Sequence, residues 1–495
     1  MILRDLLEKG DASRIAIRTD SPLALTNAEL GQRIDALTEE LRHFGLGKGD
    51  RIAMALPNGL ELIALFLAAS TVGTAAPLNP AYTRDEFRFY LEDTNARALI
   101  VPRNGSEEAR AAAGEGVVII ETDVDAGGHV RLSSNGPTVS RNDQNADDDI
   151  ALILHTSGTT SRPKRVPLSH ANLLTSAANV AATYQLTPAD VSLCVMPLFH
   201  VHGLVASTLA TFFSGGTVVV PAKFNPLSFW TTVREKQATW YSAVPTIHQV
   251  LLSRARGKRP DGAQQLRFIR SCSAALAPQM MADMETVFGV PVLEAYGMTE
   301  AAHQMASNPL PPDARKGGSV GRGTDVAIAI LDKEGNELPA GATGEVSIKG
   351  PNVFAGYEGN AEANAESFSN GWFRTGDQGH LDGEGYLTLS GRIKELINRG
   401  GEKISPREID EVLATHPAVA EAVCFGIPDR VYGEDVAAAV VLKSDVTEKE
   451  LIAHCRSSLS DFKCPKKIYI MDAIPRTATG KIQRRNVAAA LTESR

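Results

Sequence analysis

The sequence predicts a multidomain α/β protein, and three changes of pattern along the chain support this fold class. Short runs rich in Val and Ile alternate with helix-like segments over most of the first 300 residues. Strands of that kind are typical of mainly parallel sheets covered by helices. Near Pro309 the chain becomes rich in Gly and Pro with hairpin-like strands, and after Gly391 a small α+β pattern follows. We therefore expect an N-terminal domain over residues 1–392, with a barrel-like β subdomain at about 310–390, and a C-terminal domain over 393–495.

The N-terminal domain is expected to contain two α/β sheet subdomains. Apolar runs predict its strands, which cover residues 51–56, 98–101, 117–121, 151–155, 191–196, 217–220, 240–244, 266–271 and 291–295. Helices are predicted over 60–72, with Asn58 as the capping residue, and over 170–183 and 278–288. The polar stretch 127–149 has no clear periodicity and is predicted to be a surface loop.

The later segments have shorter and more widely spaced elements. Strands are predicted over 326–331, 345–348 and 386–389, with turns at 333–335 and 382–385. In the last hundred residues, helices are predicted over 409–414 and 447–459, and strands over 419–425 and 436–442. This order predicts a small α+β domain at the C-terminus.

Composition narrows the functional classes. The chain has 495 residues, 50 Lys and Arg against 58 Asp and Glu, and a net charge of −8. With 43% hydrophobic residues it can bury a large core, and the mild acidity gives no footprint for nucleic acid. Five scattered cysteines without a Cys-x-x-Cys pair argue against a disulfide framework or a zinc site. No signal peptide and no membrane insertion are expected, so a cytoplasmic enzyme is the simplest interpretation.

The sharpest motif is a hydroxyl-rich loop that directly follows the predicted strand 151–155. Its backbone amides, hydroxyls and single lysine could hold a polyanion such as a triphosphate. The residues are Thr156, Ser157, Gly158, Thr159, Thr160 and Lys164. The spacing is not that of a Walker A loop, since Pro163 stands where the second Gly is required. Without further evidence, an ordinary Ser/Thr-rich turn between a strand and a helix remains the alternative.

A second motif lies at the end of the predicted strand 291–295. It comprises Tyr296, Gly297, Met298, Thr299 and Glu300. Ligands of α/β sheets gather at the carboxyl ends of strands, and a carboxylate beside a hydroxyl suits Mg²⁺. The alternative for the same residues is a plain helix start with the glutamate in its first turn.

Two further motifs follow. Asp377 lies in a Thr-Gly-Asp turn, Arg392 follows Gly391, and Lys481 follows a Thr-Gly turn close to the C-terminus. An aspartate in such a turn can accept hydrogen bonds from two ribose hydroxyls. Taken singly, Asp377 could belong to an ordinary Asx-turn, and a lysine at the position of Lys481 is usually a solvated surface residue.

Together, these motifs in this order and spacing resemble the adenylate-forming superfamily of acyl-CoA synthetases, luciferases and adenylation domains. The resemblance spans nearly the whole chain, from about residue 25 to 485. It implies that ATP activates a carboxylic acid as an acyl adenylate with release of pyrophosphate. The acyl group then passes to coenzyme A. It also implies Mg²⁺ as cofactor, small-molecule substrates, and a monomer or homodimer.

The resemblance also implies a role for each motif. The hydroxyl-rich loop and Lys164 would hold the β- and γ-phosphates, Glu300 would hold Mg²⁺, and Thr299 would lie near the α-phosphate. The adenine would be framed by Ser273, Ala274, Ala275, Tyr296 and Gly297. Asp377, helped by Arg392, would bind the ribose. Lys481 would bridge the acyl carboxylate and the α-phosphate during adenylation.

The same resemblance implies a mobile C-terminal domain. Lys394 matches the position at which that domain pivots between the two half-reactions. Gly400 and Gly401 match the small-residue loop that the pantetheine thiol of coenzyme A approaches. Arg165 departs from the family, which usually has Gly there. Its side chain could point to solvent or add charge near the triphosphate.

The acid substrate is predicted from three histidines, of which His200 is common in the family and discriminates little; a structural His303 that caps a helix remains the alternative. His200, His202 and His303 fall in the two acyl-pocket motifs and suit a short acid with a second carboxylate, because a buried anion must be paired. The run from His303 to Pro312 resembles the oxalate–CoA ligases of plants and fungi, so oxalate is the expected substrate. Three alternatives stay open: a ligase for a medium-chain or aryl acid such as a coumarate, an enzyme loading a carrier protein, and a non-enzymatic nucleotide-binding module.

Overall fold

A computed structural model of the chain describes residues 1–134, 136, 141, 143–156, 163–476 and 482–492. The chain divides into two compact units. The first comprises Met1–Ala327 and Ile348–Gly371, and the second comprises Ile328–Ser347 and Trp372–Arg495. The mixture of parallel sheets and helices is the predicted α/β class.

The first part of unit 1 contains one sheet with flanking helices, together with two short strands that belong to the second sheet. Its strands are β1 (Ile15–Thr19), β2 (Ala24–Thr26), β3 (Arg51–Met54), β4 (Thr74–Pro77), β5 (Ala98–Pro102), β6 (Val118–Val124), β7 (Val130–Ser134), β8 (Ile150–Thr156) and β9 (Lys164–Ser169). Its helices are α1 (Asn27–His43), α2 (Leu60–Val72), α3 (Arg84–Thr94) and α4 (Glu107–Ala112). Strands β3 to β9 form one sheet in the order β7-β6-β5-β3-β4-β8-β9. The inner pairings are parallel, and β7 and β9 are antiparallel edges.

The second part of unit 1 carries another sheet. Its strands are β10 (Val191–Cys194), β11 (Thr217–Val220), β12 (Trp240–Ala243), β13 (Phe268–Ser271), β14 (Val292–Met298), β15 (His303–Ser307) and β16 (Arg322–Gly323). Its helices are α5 (His170–Thr183), α6 (Ala210–Phe213), α7 (Phe229–Glu235), α8 (Pro245–Ala255) and α9 (Pro278–Phe288). The strand order is β16-β15-β14-β13-β12-β10-β11-β1-β2, and β14 to β1 are joined by parallel pairings.

The predicted helices 60–72, 170–183 and 278–288 have the observed bounds of α2, α5 and α9. Helix α2 is buried along nearly its whole length, which explains why its sequence is apolar on all sides. Its N-cap is Gly59, so the prediction that Asn58 caps it is wrong. The Asn58 amide instead bonds to the chain at Met196 and Leu198, at 3.0 Å each, and joins the two parts of unit 1.

Two predicted loops contain strands. The stretch 127–149 was expected to be a loop, but Val130–Ser134 pairs with β6 as the edge strand β7. The hydroxyl-rich loop does not lead into a helix, because β9 follows it and pairs antiparallel with β8. Strand β9 has two leading cations and a Pro, features tolerated at a sheet edge that hide it from an apolar pattern.

The segment after β16 continues with smaller elements. Its strands are β17 (Ala327–Leu331), β18 (Gly344–Lys349), β19 (Phe368–Ser369), β20 (Trp372–Leu381), β21 (Leu387–Arg392), β22 (Ile397–Arg399), β23 (Glu402–Ile404), β24 (Val419–Asp429), β25 (Gly433–Leu442) and β26 (Lys467–Ile470). Its helices are α10 (Ala361–Ser367), α11 (Pro406–Ala414), α12 (Glu448–Ser458) and α13 (Arg484–Thr492). In unit 2, β22 to β26 form a sheet around the long β24–β25 hairpin.

The sheet of unit 2 has its own apolar core, built from α11, α12 and the inner faces of β24 and β25. All five cysteines are free and buried, and three of them lie in unit 2. Across the residues that the structure describes, no helix is long and apolar enough to cross a membrane.

Candidate active site

The carboxyl ends of four neighbouring parallel strands in unit 1 lie along one edge of a sheet. Strands β10, β12, β13 and β14 are adjacent and parallel, so the residues that follow them meet at this edge. His202, Ser273 and Glu300 belong to these segments, and Ser242 lies near the end of β12. The sheet therefore brings together motifs that are up to a hundred residues apart in the sequence.

A tight hairpin between β14 and β15 carries two predicted site residues. Thr299–Ala301 forms a short 3₁₀ turn, and His303 resumes the chain with φ of 116°, a conformation rare for a residue with a side chain. Met298 and His303 are opposite each other in the antiparallel register. The turn thus holds Glu300, expected to bind a cation, and His303, expected to contact the acid, within four residues.

Gly297 is required by this hairpin. A Cβ atom there would overlap the carbonyl of His303, which is backbone and cannot move aside. We expect Gly297→Ala to lower the free energy of unfolding by about 1–3 kcal/mol, as overpacking does. The measurement is urea denaturation. Gly116→Ala is the matched control, because a Cβ at Gly116 meets nothing within 4 Å; equal stability of the two variants would contradict the argument.

Glu300 has the chemistry of a cation ligand. Its side chain is 5% exposed, and its Oε1 atom accepts a hydrogen bond from the Tyr357 hydroxyl at 2.8 Å. A buried carboxylate offers the hard oxygen ligands that a cation such as Mg²⁺ prefers. No group of three or more metal-ligating side chains occurs in the described ranges.

The hydroxyl-rich loop is only partly described. Thr156 ends β8, Lys164 begins β9, and the two residues are register partners. The Lys164 ammonium lies 4.4 Å from the centre of the Tyr357 ring. Ser157, Gly158, Thr159 and Thr160 lie outside the described residues, so their role in binding phosphate stays a prediction.

Arg165 does not point freely into solvent, the first of the two placements expected for it. Its guanidinium forms ion pairs with Asp93, at 3.6 Å, and with Glu358, at 3.3 Å. Arg51 also pairs with Glu358, and His155 contacts Asp93 at 3.0 Å. Burial lowers the pKa of His155, although the Asp93 carboxylate opposes that shift. Arg165 therefore connects the end of the hydroxyl-rich loop to the segment that carries Tyr357.

The residues expected to frame adenine lie on two adjacent strands. Ser273, Ala274 and Ala275 follow β13, and Tyr296 and Gly297 belong to the neighbouring β14. Ala274 and Ala275 are exposed, while Tyr296 is buried. Ser273 has φ of 72°, a left-handed conformation that turns the chain sharply at the edge of the sheet.

A buried arginine beside two of the histidines predicted to contact the acid was missed by the sequence analysis. Arg270, in β13, is fully buried, and its guanidinium donates to three side chains at 2.8–3.1 Å. They are the Tyr184 hydroxyl, the Ser242 hydroxyl and the Gln304 carbonyl oxygen. The guanidinium also lies 3.4 Å from His303 Nδ1. Among the described residues, the groups that act on the Arg270 charge include no carboxylate. The signal in the sequence is an arginine inside the apolar run Phe-Ile-Arg-Ser.

Two of the three predicted histidines belong to this network. His202 is 3% exposed and contacts Ser242 through Nε2 at 2.6 Å and Ser273 through Nδ1 at 3.0 Å. Its ring lies 5.2 Å from that of His303. His200 instead packs against Phe199 at 4.9 Å. The structure therefore brings His202 and His303 together beside Arg270, in a buried network of polar side chains around one cationic group.

In unit 2, the structure brings Asp377 and Arg392 together. They are register partners of β20 and β21, and Arg392 Nε lies 2.7 Å from Asp377 Oδ1. The Asp377 amide donates to the Thr375 hydroxyl at 3.1 Å, which fixes the turn. Asp377 is 6% exposed and acceptor-rich, so it has the chemistry expected of a group that binds hydroxyls.

Three further predicted residues of unit 2, Lys394, Gly400 and Gly401, lie on exposed turns. Lys394 is exposed within the 3₁₀ turn Ile393–Glu395. Gly400 and Gly401 join β22 to β23, and their φ angles of 60° and 100° suit a two-residue hairpin turn. Lys481 lies outside the described residues. Its catalytic role, like the hinge and coenzyme A roles, stays a prediction.

Comparison with known proteins agrees with this geometry. Residues 8–358 match the family described as AMP-binding enzyme, and residues 408–481 match the AMP-binding enzyme C-terminal domain. A probable CoA ligase, CCL9, of Humulus lupulus is 49% identical over 98% of this chain and 96% of its own. The oxalate–CoA ligase of Arabidopsis thaliana is 47% identical over 98% of both chains. ATP-bound MatB from Rhodopseudomonas palustris superposes with a TM-score of 0.90 at 31% identity over the whole of both chains. The chain belongs to the AMP-binding enzyme family.

Proposed function

We propose that this protein is an ATP-dependent carboxylate–CoA ligase whose preferred acid is oxalate. This activity is supported by two relatives, a probable CoA ligase that is 49% identical and an oxalate–CoA ligase that is 47% identical, each over 98% of this chain. The buried Arg270 supports a dianionic acid. Coenzyme A is the proposed acceptor of the acyl group.

The chemistry explains why the site needs cations. A carboxylate oxygen attacks the α-phosphorus of ATP, the bond to the bridging β-phosphate oxygen breaks, and pyrophosphate leaves. The thiol sulfur of coenzyme A then attacks the acyl carbon, its proton passes to solvent, and AMP leaves. Two anions meet in the first step, so the protein must neutralise charge where it develops. Bound Mg²⁺ would neutralise phosphate charge, and Glu300 would hold it.

Arg270 is the single observation that carries the choice of acid. Burying a guanidinium without a carboxylate partner is costly, and the polar groups around Arg270 are neutral or weakly basic. An anionic ligand would compensate this charge. One carboxylate of the acid must react with the α-phosphate of ATP. Pairing with Arg270 therefore requires a second anionic group on the same acid.

A release assay for pyrophosphate with a panel of acids tests this proposal. Oxalate, malonate, sulfoacetate, hexanoate and 4-coumarate are compared with and without coenzyme A. We expect kcat/KM for oxalate to exceed that for hexanoate or coumarate by at least about 100-fold, since an unpaired buried charge opposes neutral chains. A preference of about tenfold or more for either apolar acid would overturn the substrate assignment. Turnover that needs a carrier protein would overturn the acceptor.

The proposal also covers the domain boundary, the location and oligomeric state of the enzyme, and three further site residues. We retain a domain boundary near residue 392 with Lys394 as its pivot; residues 408–481, which match the C-terminal domain of AMP-binding enzymes, lie on the C-terminal side of that boundary. We propose a cytoplasmic enzyme that acts as a monomer or homodimer. We also retain Thr299 near the α-phosphate, and Gly400 and Gly401 at the path of the thiol.

A further inference from the structure

Tyr357 touches two groups that the nucleotide chemistry requires. Its hydroxyl donates to Glu300 Oε1 at 2.8 Å, and its ring faces the Lys164 ammonium at 4.4 Å. Tyr357 is 7% exposed. One side chain therefore contacts the carboxylate expected to hold Mg²⁺ and the cation expected to hold phosphate.

The backbone around Tyr357 is fixed independently of these contacts. Its amide donates to Asn364 Oδ1 at 2.7 Å, and its carbonyl accepts from Asn364 Nδ2 at 2.9 Å. The next amide, of Glu358, donates to the Arg165 carbonyl at 3.2 Å. The ring packs edge-on against Phe354, whose amide in turn donates to the Glu300 carbonyl at 2.8 Å. A tyrosine held this firmly can orient its neighbours rather than follow them.

We propose that Tyr357 is a positioning residue for adenylation. Its hydroxyl takes one oxygen of Glu300 and presents the rest of the carboxylate to Mg²⁺, while its ring holds Lys164 beside the phosphate loop. A hydrogen bond to a charged acceptor and a cation facing an aromatic ring are both directional contacts. This inference rests on the proposed ATP chemistry but not on the identity of the acid.

Two substitutions separate the hydroxyl from the ring. Tyr357→Phe keeps the ring and removes the hydroxyl, so we expect the affinity for Mn²⁺ in the presence of ATP to fall about tenfold. Electron paramagnetic resonance of Mn²⁺, an oxygen-seeking substitute for Mg²⁺, measures this affinity without any acid or coenzyme A. Binding of ATP itself, measured by calorimetry, should change less than about twofold. Tyr357→Leu removes the ring as well, so both affinities should fall.

The matched control is Tyr241→Phe. Tyr241 is also a buried tyrosine of unit 1, and its hydroxyl contacts His248 at 3.3 Å, outside the site. Its removal should leave Mn²⁺ affinity unchanged. Circular dichroism and urea unfolding establish that each variant is folded. If Tyr357→Phe does not fold, Arg165→Met tests the same proposal, because it releases the segment at Glu358 and should weaken Mn²⁺ binding in the same direction.

The positioning role would be overturned if a folded Tyr357→Phe bound Mn²⁺ as tightly as the wild-type protein. If Tyr357→Phe does not fold, wild-type Mn²⁺ affinity in Arg165→Met would overturn it instead. The failure of the proposed function has a different signature. In that case the wild-type protein would release no pyrophosphate with any acid, whereas the Mn²⁺ and ATP measurements would still report on Tyr357.

Discussion

Replacing Lys481 by alanine is expected to slow formation of the acyl adenylate by about 10³-fold or more, because a single preorganised donor at a developing charge supplies that much. The acid carboxylate and the α-phosphate are both anionic, and their repulsion is greatest when the new bond forms. A cation between them stabilises the transition state more than the separate reactants. Pyrophosphate release in single-turnover conditions measures this step.

The second half-reaction distinguishes this role from general damage. Thioester formation from a supplied acyl adenylate and coenzyme A should change by less than about threefold in Lys481→Ala. In the adenylate the acyl carboxylate and the α-phosphate are already joined, so their repulsion no longer has to be overcome. Lys467→Ala is a suitable control, because Lys467 pairs with Glu448 at 3.2 Å on the surface of the C-terminal sheet. Equal loss in both half-reactions would rule out the assignment of Lys481 to adenylation.

Elements with strong local signals could be predicted from the sequence. Helices α5 and α9 have the predicted bounds because each joins an apolar face to a clear start, a capping Ser169 in one case and Pro278 in the other. The core strands could be predicted for a similar reason, since they are buried on both faces and read as apolar runs. The observed ends of these strands differ from the predicted ends by a few residues, because hydrogen-bond pairing with the neighbouring strand, and not composition, decides where a strand ends.

The parts that could not be predicted depend on contacts far apart in the sequence. Asn58 resembles a helix cap, but its amide is used by the chain at Met196 and Leu198. Arg165 could be assigned no partner, because Asp93 and Glu358 reach it only in the folded chain. Asp377 and Arg392 were predicted to bind the ribose together, but their direct ion pair depends on the β20–β21 register and could not be predicted; the ribose role stays a prediction.

Replacing Arg270 by glutamine is expected to change which acids the enzyme accepts. Glutamine keeps hydrogen-bonding groups for Tyr184 and Ser242 but removes the charge. Leaving the second carboxylate of oxalate buried and unpaired should lower kcat/KM for oxalate by about 10²–10³-fold, the equivalent of 3–4 kcal/mol for a broken buried pair. For hexanoate, which has no second carboxylate, we expect a change of less than about tenfold.

The ratio of the two losses is the decisive quantity, because it separates recognition of charge from support of the fold. A purely structural Arg270 would lower both kcat/KM values together, since His202, Ser242 and His303 would move for every acid alike. Arg254→Gln, on the exposed face of α8, provides the same substitution away from the pocket and should alter neither value. Thermal unfolding with and without oxalate adds a readout independent of turnover. If oxalate binds the free enzyme, it should raise the unfolding temperature of the wild-type protein and of Arg254→Gln. The increase should be lost in Arg270→Gln, because this variant lacks the buried charge proposed to pair with the second carboxylate.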